Sequence, residues 1–225
     1  MTAPDKSFES KLLESWQANA ELWTSAIREG KIQSRETTTH AAIQQAILAF
    51  SPNKALDLGC GEGWLIRSLA NQGIEWVGVE GVPALAEKAR ESGKAEILTL
   101  NYAALVAEPH RCGGGFDLVV ANFSLLEAEL LPLFLGLRKI VTPGARLLIQ
   151  TLHPCTLEGP YLSGPRSESF AAMGSGTWQT MPWYFRTLGD WLDLLRAADL
   201  KLLSLCEPLL PETLRPASLI LEVAF

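Results

Sequence analysis

Several classes of protein are argued against by what this chain lacks. It has only four cysteines, Cys60, Cys112, Cys155 and Cys206, far apart and with no CxxC pair. Neither a zinc centre nor a disulfide framework is expected from that spacing, and reduced thiols in a cytoplasm are the simpler reading. Lys and Arg number 19 against 25 acids, with no basic stripe, so the electrostatic footprint of a nucleic-acid-binding protein is missing. Long apolar runs are missing too: LLPLFLGL at 130–137 is too short to span a bilayer. The opening MTAPDKSFESKLLESW has no continuous apolar core of the signal-peptide kind. A soluble cytoplasmic chain, monomer or homodimer, is expected, with neither membrane nor nucleic acid as partner. Internal repeats and low-complexity tracts are absent.

What is present is apolar material, 48% of 225 residues, enough for the core of one α/β domain with an added helical segment. Leu12, Trp16, Trp23 and Ile27 fall on one face of a helix over 7–29 that Gly30 stops. A second helix is expected over 36–50 with Ser34 as its cap, making 1–50 a helical cap. From Lys54 the rhythm changes. KALDLG, EWVGVE, AEILTL, FDLVVANF and ARLLIQTL read as strands, separated by helical stretches such as GWLIRSLANQG and PALAEKARESG, with a turn at Thr142-Pro143-Gly144. Near-wholly apolar strands alternating with helices predict a doubly wound, mostly parallel sheet over 51–225. Residues 153–186, rich in Pro, Gly and Ser and then in aromatics, interrupt the alternation as a lid-like insertion. A helix near 187–198 and strands near 200–206 and 217–224 complete the chain.

The densest signal is ALDLGCGEGWL at 55–65. A strand, three alternating glycines and a helix bring bare main chain against a ligand at the carboxyl edge of a sheet. A dinucleotide would need GxGxxG, but Trp64 stands at the third glycine position. Glu62 in the turn would repel a pyrophosphate and suits a ligand with an amino group or a positive centre. Glu80, ending the second strand before Gly81, can accept both hydroxyls of a ribose. Asn101, after the third strand, can meet an adenine edge, with Val82 and Tyr102 near the faces.

ALDLGCGEG, WVGVEG, NYA, FDLVVANFSLLE and TPGARLLIQ, in that order over residues 54–153, resemble the class I S-adenosylmethionine-dependent methyltransferases. SWQANAELWTSAIREGKIQSR is similar to the N-terminal extension of a bacterial branch acting on small molecules. The resemblance implies a seven-stranded Rossmann-like sheet whose last strand, PASLILEVA, is antiparallel. It implies S-adenosylmethionine as cofactor and S-adenosylhomocysteine as product. Asp57, Gly59, Cys60, Gly61, Gly63 and Trp64 would line the methionyl part. Glu80 and Gly81 would hold the ribose, and Val82, Asn101, Tyr102 and Ala103 the adenine. Asn122 and Phe123 would lie near the amine and sulfonium, and Arg35 would meet the carboxylate. Many members carry Asp where Asn101 stands.

For chemistry, His153 follows the fifth strand and is a candidate general base, with a structural histidine opening a loop as the alternative. The aromatic run 178–186 reads as a substrate wall in which Trp183 or Tyr184 touches the acceptor, Tyr184 being the second catalytic candidate; packing of the loop on the sheet is the alternative. His40 and His110 read as surface residues, and no metal site is expected. The function implied is in-line methyl transfer to a small molecule. Its rivals are a non-catalytic S-adenosylmethionine-binding protein and an NAD-dependent oxidoreductase.

Overall fold

The computed structural model describes residues 6–170, 173 and 176–225. The first five residues of the expected cap, and residues 171, 172, 174 and 175 of the expected insertion, lie outside the described residues. The strands are β1 (Lys54–Leu58), β2 (Glu75–Glu80), β3 (Glu96–Thr99), β4 (Phe116–Asn122), β5 (Val141–Thr151), β6 (Gly164–Glu168), β7 (Met181–Phe185), β8 (Lys201–Cys206) and β9 (Leu219–Ala224). The helices are α1 (Lys6–Arg28), α2 (His40–Phe50), α3 (Trp64–Ser68), α4 (Pro83–Arg90), α5 (Tyr102–Ala107), α6 (Leu131–Leu137) and α7 (Leu188–Ala197).

Seven strands form one sheet in the order β3-β2-β1-β4-β5-β9-β8. The first five are mutually parallel, and β9 runs antiparallel to both β5 and β8, as expected for the last strand. Alternate residues of the central strands feed opposite faces. Leu56, Leu58, Val77, Val79, Val119 and Ala121 pack in one core with α5, α6 and α7. Ala55, Trp76, Leu118 and Val120 join α2, α3 and α4 in the other. Burial on both faces explains why these strands read as continuous apolar runs. The order reverses between β1 and β4, which opens a crevice at the carboxyl ends of the strands.

The greasy stretch LLPLFLGL is largely α6: its Pro132 starts the helix, and Leu133, Phe134 and Leu137 are buried beneath the sheet. Three expectations are corrected. Ser34 makes no side-chain cap; it has helical geometry and leads into a π-helical turn, Arg35–Thr39, continuous with α2. The helix after the glycine turn ends at Ser68 rather than Gly73, where the Ser68 hydroxyl donates to Leu65 O at 2.8 Å. The Thr142-Pro143-Gly144 turn lies within β5, in the register shift between the pairs Phe116–Val141 and Leu118–Arg146.

The expected loop 153–186 holds a hairpin, β6 paired antiparallel with β7. Met181, Trp183 and Phe185 alternate inward and pack with Leu12 and Phe170. Helix α1 lies across both this cluster and the start of α4, through Ala20, Val82 and Leu85. The Asn19 side chain donates to Gln179 O and accepts from Gln179 N, both at 2.8 Å. Cap and insertion therefore form one cover over the crevice.

Phe134 is fully buried at the centre of the α6 side. Phe134→Ala is expected to cost about 3–5 kcal/mol of stability, read as a lower urea midpoint at unchanged slope.

Candidate functional site

A cavity of about 290 Å³ lies over the ends of β1, β2 and β4 and under α1, β7, Phe170 and Met173. The three glycines of the turn serve it differently. All have positive φ, of 67°, 57° and 80° at Gly59, Gly61 and Gly63, where side chains are strained. A Cβ on Gly59 would lie 2.5 Å from Ser124 Cβ, and one on Gly63 3.0 Å from Ala89 Cα in α4. A Cβ on Gly61 would meet nothing within 4 Å, so this glycine leaves open room on the cavity side. Gly59 and Gly63 allow main chain to approach strand and helix.

Glu80 organises the turn. Its Oε2 accepts from Gly61 N at 2.9 Å and its Oε1 from Val82 N at 2.8 Å. Each oxygen keeps a further lone pair for a ligand. Burial raises its pKa above the ordinary glutamate value, against the pull of those N–H groups. Asp57, one strand over and 2% exposed, is pushed up to about 7 by burial and then by the Glu80 charge. Burial likewise raises the Cys60 thiol, so it is a packed filler rather than a nucleophile.

Glu62 was expected to present its charge to the ligand. Its side chain is instead fully buried in an ion pair with two arginines: Arg28 Nε donates to Oε2 at 2.9 Å and Arg67 Nη2 to Oε1 at 2.9 Å. Its carboxylate ties α1 and α3 to the turn.

Arg35 projects from the π-helical turn and is 7% exposed. Its guanidinium lies 5.4 Å from the Trp23 and Trp64 ring centres and 5.7 Å from that of Phe123, favourable cation–π geometry. Nε and Nη1 are buried without a hydrogen-bond partner among the described residues. Burial lowers its pKa to about 10, so the cation persists at neutral pH. His40, expected at the surface, is half-buried, stacked on Trp64 at 3.9 Å; burial and then Arg35 lower it to about 4. His110 is exposed as expected.

Asn122 and Phe123 line the cavity. Asn122 Oδ1 is buried and unpaired. Phe123 adopts φ 55°, a strained conformation for an aromatic residue, anchored by its N–H donating to Gln150 O at 2.7 Å. Asn101 caps α5, its Oδ1 accepting from Ala104 N at 2.8 Å, and still lines the cavity beside Tyr102, Gly81 and Val82. The Tyr102 hydroxyl donates to Ser124 O at 3.3 Å, and burial raises its pKa.

Of the expected site residues, Arg35, Gly59, Cys60, Gly61, Trp64, Glu80, Gly81, Val82, Asn101, Tyr102, Asn122, Phe123 and Tyr184 line this one cavity. Asp57, Gly63, Ala103 and His153 are not on its wall. His153 Nε2 lies 2.7 Å from Glu207 Oε1 and its Nδ1 accepts from Cys155 N: those contacts hold a loop. Sequence reasoning passed over Glu127 and Arg186, which also line the cavity. Arg186 Nη2 donates to the carbonyls of Glu127 and Ala128 at 2.5 and 2.8 Å. The signal for both was slight: an acid closing FSLLE and an arginine closing WYFR.

A Rossmann-like sheet of seven strands, with a glycine turn and an acid ending the second strand beside one crevice, defines the fold of the methyltransferase type. Residues 55–144 match the family described as a methyltransferase domain. A ubiquinone biosynthesis O-methyltransferase of Cereibacter sphaeroides is 28% identical over 166 residues, covering 69% of this chain and 63% of that protein. The chain thus spans under two-thirds of the length of the curated relatives it matches. Among solved structures, an S-adenosylmethionine-dependent methyltransferase from Mesorhizobium loti superposes with a TM-score of 0.63 at 21% identity, over 80% of this chain and 95% of that one. A 1,6-didemethyltoxoflavin-N1-methyltransferase from Burkholderia thailandensis gives 0.66 at 18% identity, over 99% and 90%. The chain thus carries a methyltransferase domain over residues 55–144 and shares the fold of solved S-adenosylmethionine-dependent methyltransferases.

The acidity of Asp57 generates a prediction with a defined sign. The unfolded chain ionises this group near its ordinary value, the folded one at about 7. Stability therefore falls as pH rises between about 4 and 7 and levels above. Asp57→Asn removes this contribution. The urea midpoint of the wild type is expected to drop more between about pH 5 and about pH 8 than that of the variant; equal drops would contradict the assignment.

Proposed function

We propose that this protein transfers the methyl group of S-adenosylmethionine to a small molecule, in a cytoplasmic setting. The observation that carries the reading is the complementarity of the cavity's unsatisfied groups to that cofactor. Glu80 offers two hydrogen-bond acceptors to a ribose diol. Arg35, a buried cation with two unpartnered nitrogens, suits a carboxylate. Asn122 Oδ1, an unpartnered acceptor, suits an ammonium group. Gly61 leaves the room that main-chain approach requires. A ribose, a carboxylate and an ammonium occur together in an adenosyl amino acid.

Within this reading, residues 6–50 and the β6–β7 insertion serve as cover, excluding water from the reacting groups. Asn101, Val82 and Tyr102 bound the adenine end. Trp64, backed by His40, occupies the place where a dinucleotide turn carries its third glycine, and disfavours the oxidoreductase. The cofactor, when bound, supplies an electrophilic methyl on a positive sulfur. The protein orients a nucleophile in line with it and holds it there. Tyr184 stands on the wall where that acceptor would lie; His153, held by Glu207, is in a place to support the loop rather than to take a proton. No described helix is long and apolar enough to cross a membrane. The relatives named as O-methyltransferases support oxygen as the accepting atom.

Titration calorimetry with S-adenosylhomocysteine tests the reading. Charge-assisted hydrogen bonds are worth about 1.5–3 kcal/mol, so Glu80→Ala should weaken binding by about tenfold or more. Gly61→Arg should abolish it by filling the cavity. Unchanged affinity in both variants, or stabilisation of the wild type by NAD but not by S-adenosylhomocysteine, would overturn the proposal.

A further inference from the structure

One half-buried carboxyl on the cavity wall has no task in the reading above. Glu127 lies in the loop that leaves β4, beyond Asn122 and Phe123. Its main chain is held firmly: the Leu126 carbonyl accepts from Tyr184 N at 2.9 Å, and the Glu127 and Ala128 carbonyls accept from Arg186. Its carboxyl has no hydrogen-bond or ion-pair partner among the described residues. Three groups on other elements act on it: Glu9 of α1, Arg186 after β7, and Tyr102 of α5. Burial, and then Glu9, push its pKa up to about 7, against the pull of Arg186. The same cavity presents the inward side chains Trp183 and Phe185 and, besides Glu62 and Glu80, a further acid, Glu168.

These observations together describe an acceptor. The aromatic wall favours a planar ring. Glu127 and Glu168, with Glu80 on the same lining, disfavour an anion; Arg186 gives Nη2 to two carbonyls and keeps only a buried Nη1 unpartnered among the described residues. Proton transfer is most effective between groups of similar acidity. A phenolic hydroxyl, with an ordinary value near 10, is within reach of such a carboxylate, whereas an aliphatic hydroxyl is not.

We propose that the acceptor is an uncharged planar phenol seated against Trp183 and Phe185, and that Glu127 receives its hydroxyl proton. The proposal rests on the methyl-transfer reading. The phenol oxygen forms its bond to the methyl carbon, the carbon–sulfur bond breaks with its electron pair left on sulfur, and the proton passes from oxygen to the Glu127 carboxylate. The sulfonium's positive charge and the carboxylate's negative charge disappear together, so the covered cavity keeps its net charge.

Vanillyl alcohol and vanillate share a ring and hydroxyl but differ in charge, and serve as probes. Calorimetry is run first with S-adenosylhomocysteine, then with each probe added to the complex. Expected are binding of vanillyl alcohol at least about tenfold tighter than vanillate, and equal S-adenosylhomocysteine affinity in wild type and Glu127→Gln. Radiolabelled methyl transfer to the phenol of vanillyl alcohol should fall by about 10²-fold or more in Glu127→Gln, with the acid limb of its pH profile lost, and recover in part in Glu127→Asp. Retention of rate and acid limb by Glu127→Gln, tighter binding of vanillate, or no binding of vanillyl alcohol by a wild type that binds S-adenosylhomocysteine would overturn the proposal. A wild type that fails to bind S-adenosylhomocysteine would overturn the methyl-transfer reading itself.

Discussion

The carboxylate of Glu80 bridges two main-chain N–H groups, one in the glycine turn and one at the entry to α4, and the geometry of the cavity floor depends on it. A turn of three residues with positive φ has little stiffness of its own. Held at one end by the Gly59 and Cys60 N–H groups on the Val79 carbonyl, and at the other by Glu80, it presents Gly61 at a defined place. The bridge is stronger for being buried, because a hydrogen bond to an ion gains in a low local dielectric. The same burial is a cost to the ionised form, felt also at Asp57. The floor is thus stabilised by geometry and strained by charge, a combination common where a ligand is to be met.

The cover answers the floor through separate contacts. Glu62, within the turn itself, takes Arg28 from α1 and Arg67 from α3, so the turn and its lid are linked by a buried ion pair. Asn19 and Gln179 link α1 to the insertion, and the insertion packs Met181, Trp183 and Phe185 against Leu12. Arg35 completes the enclosure from a π-helical turn, a local irregularity often found at functional positions. Its charge faces aromatic rings rather than an acid. A cation so placed is tolerated by the rings and left available for an anion.

Much was legible from residue order. Apolar strands alternating with helices, and the glycine turn, made seven strands and a candidate crevice legible in the sequence, because these signals are local and repeated. The antiparallel position of the last strand followed from resemblance rather than from local pattern. The β6–β7 hairpin was missed because Pro165 and Pro182 sit in its strands and the loop between carries Gly and Ser; pairing across that distance leaves no periodic mark. The short α3 ends where the Ser68 hydroxyl takes the Leu65 carbonyl, and at Ser34 the following Arg35 and Glu36 N–H groups go to the Ile32 carbonyl rather than to a side chain.

By itself the sequence determined the order of strands and helices, the glycines' freedom and the acid ending β2, since each depends on neighbours a few residues away. Tertiary structure alone decided which charges are spoken for. Glu62 is neutralised by arginines 34 and 5 positions away, His153 is drawn to Glu207, 54 positions away, and Arg35 Nε and Nη1 and the Glu127 carboxyl meet no hydrogen-bond partner among the described residues. Whether a charge is paired depends on desolvation and on what the fold brings within a few ångströms, quantities that no local pattern of residues encodes.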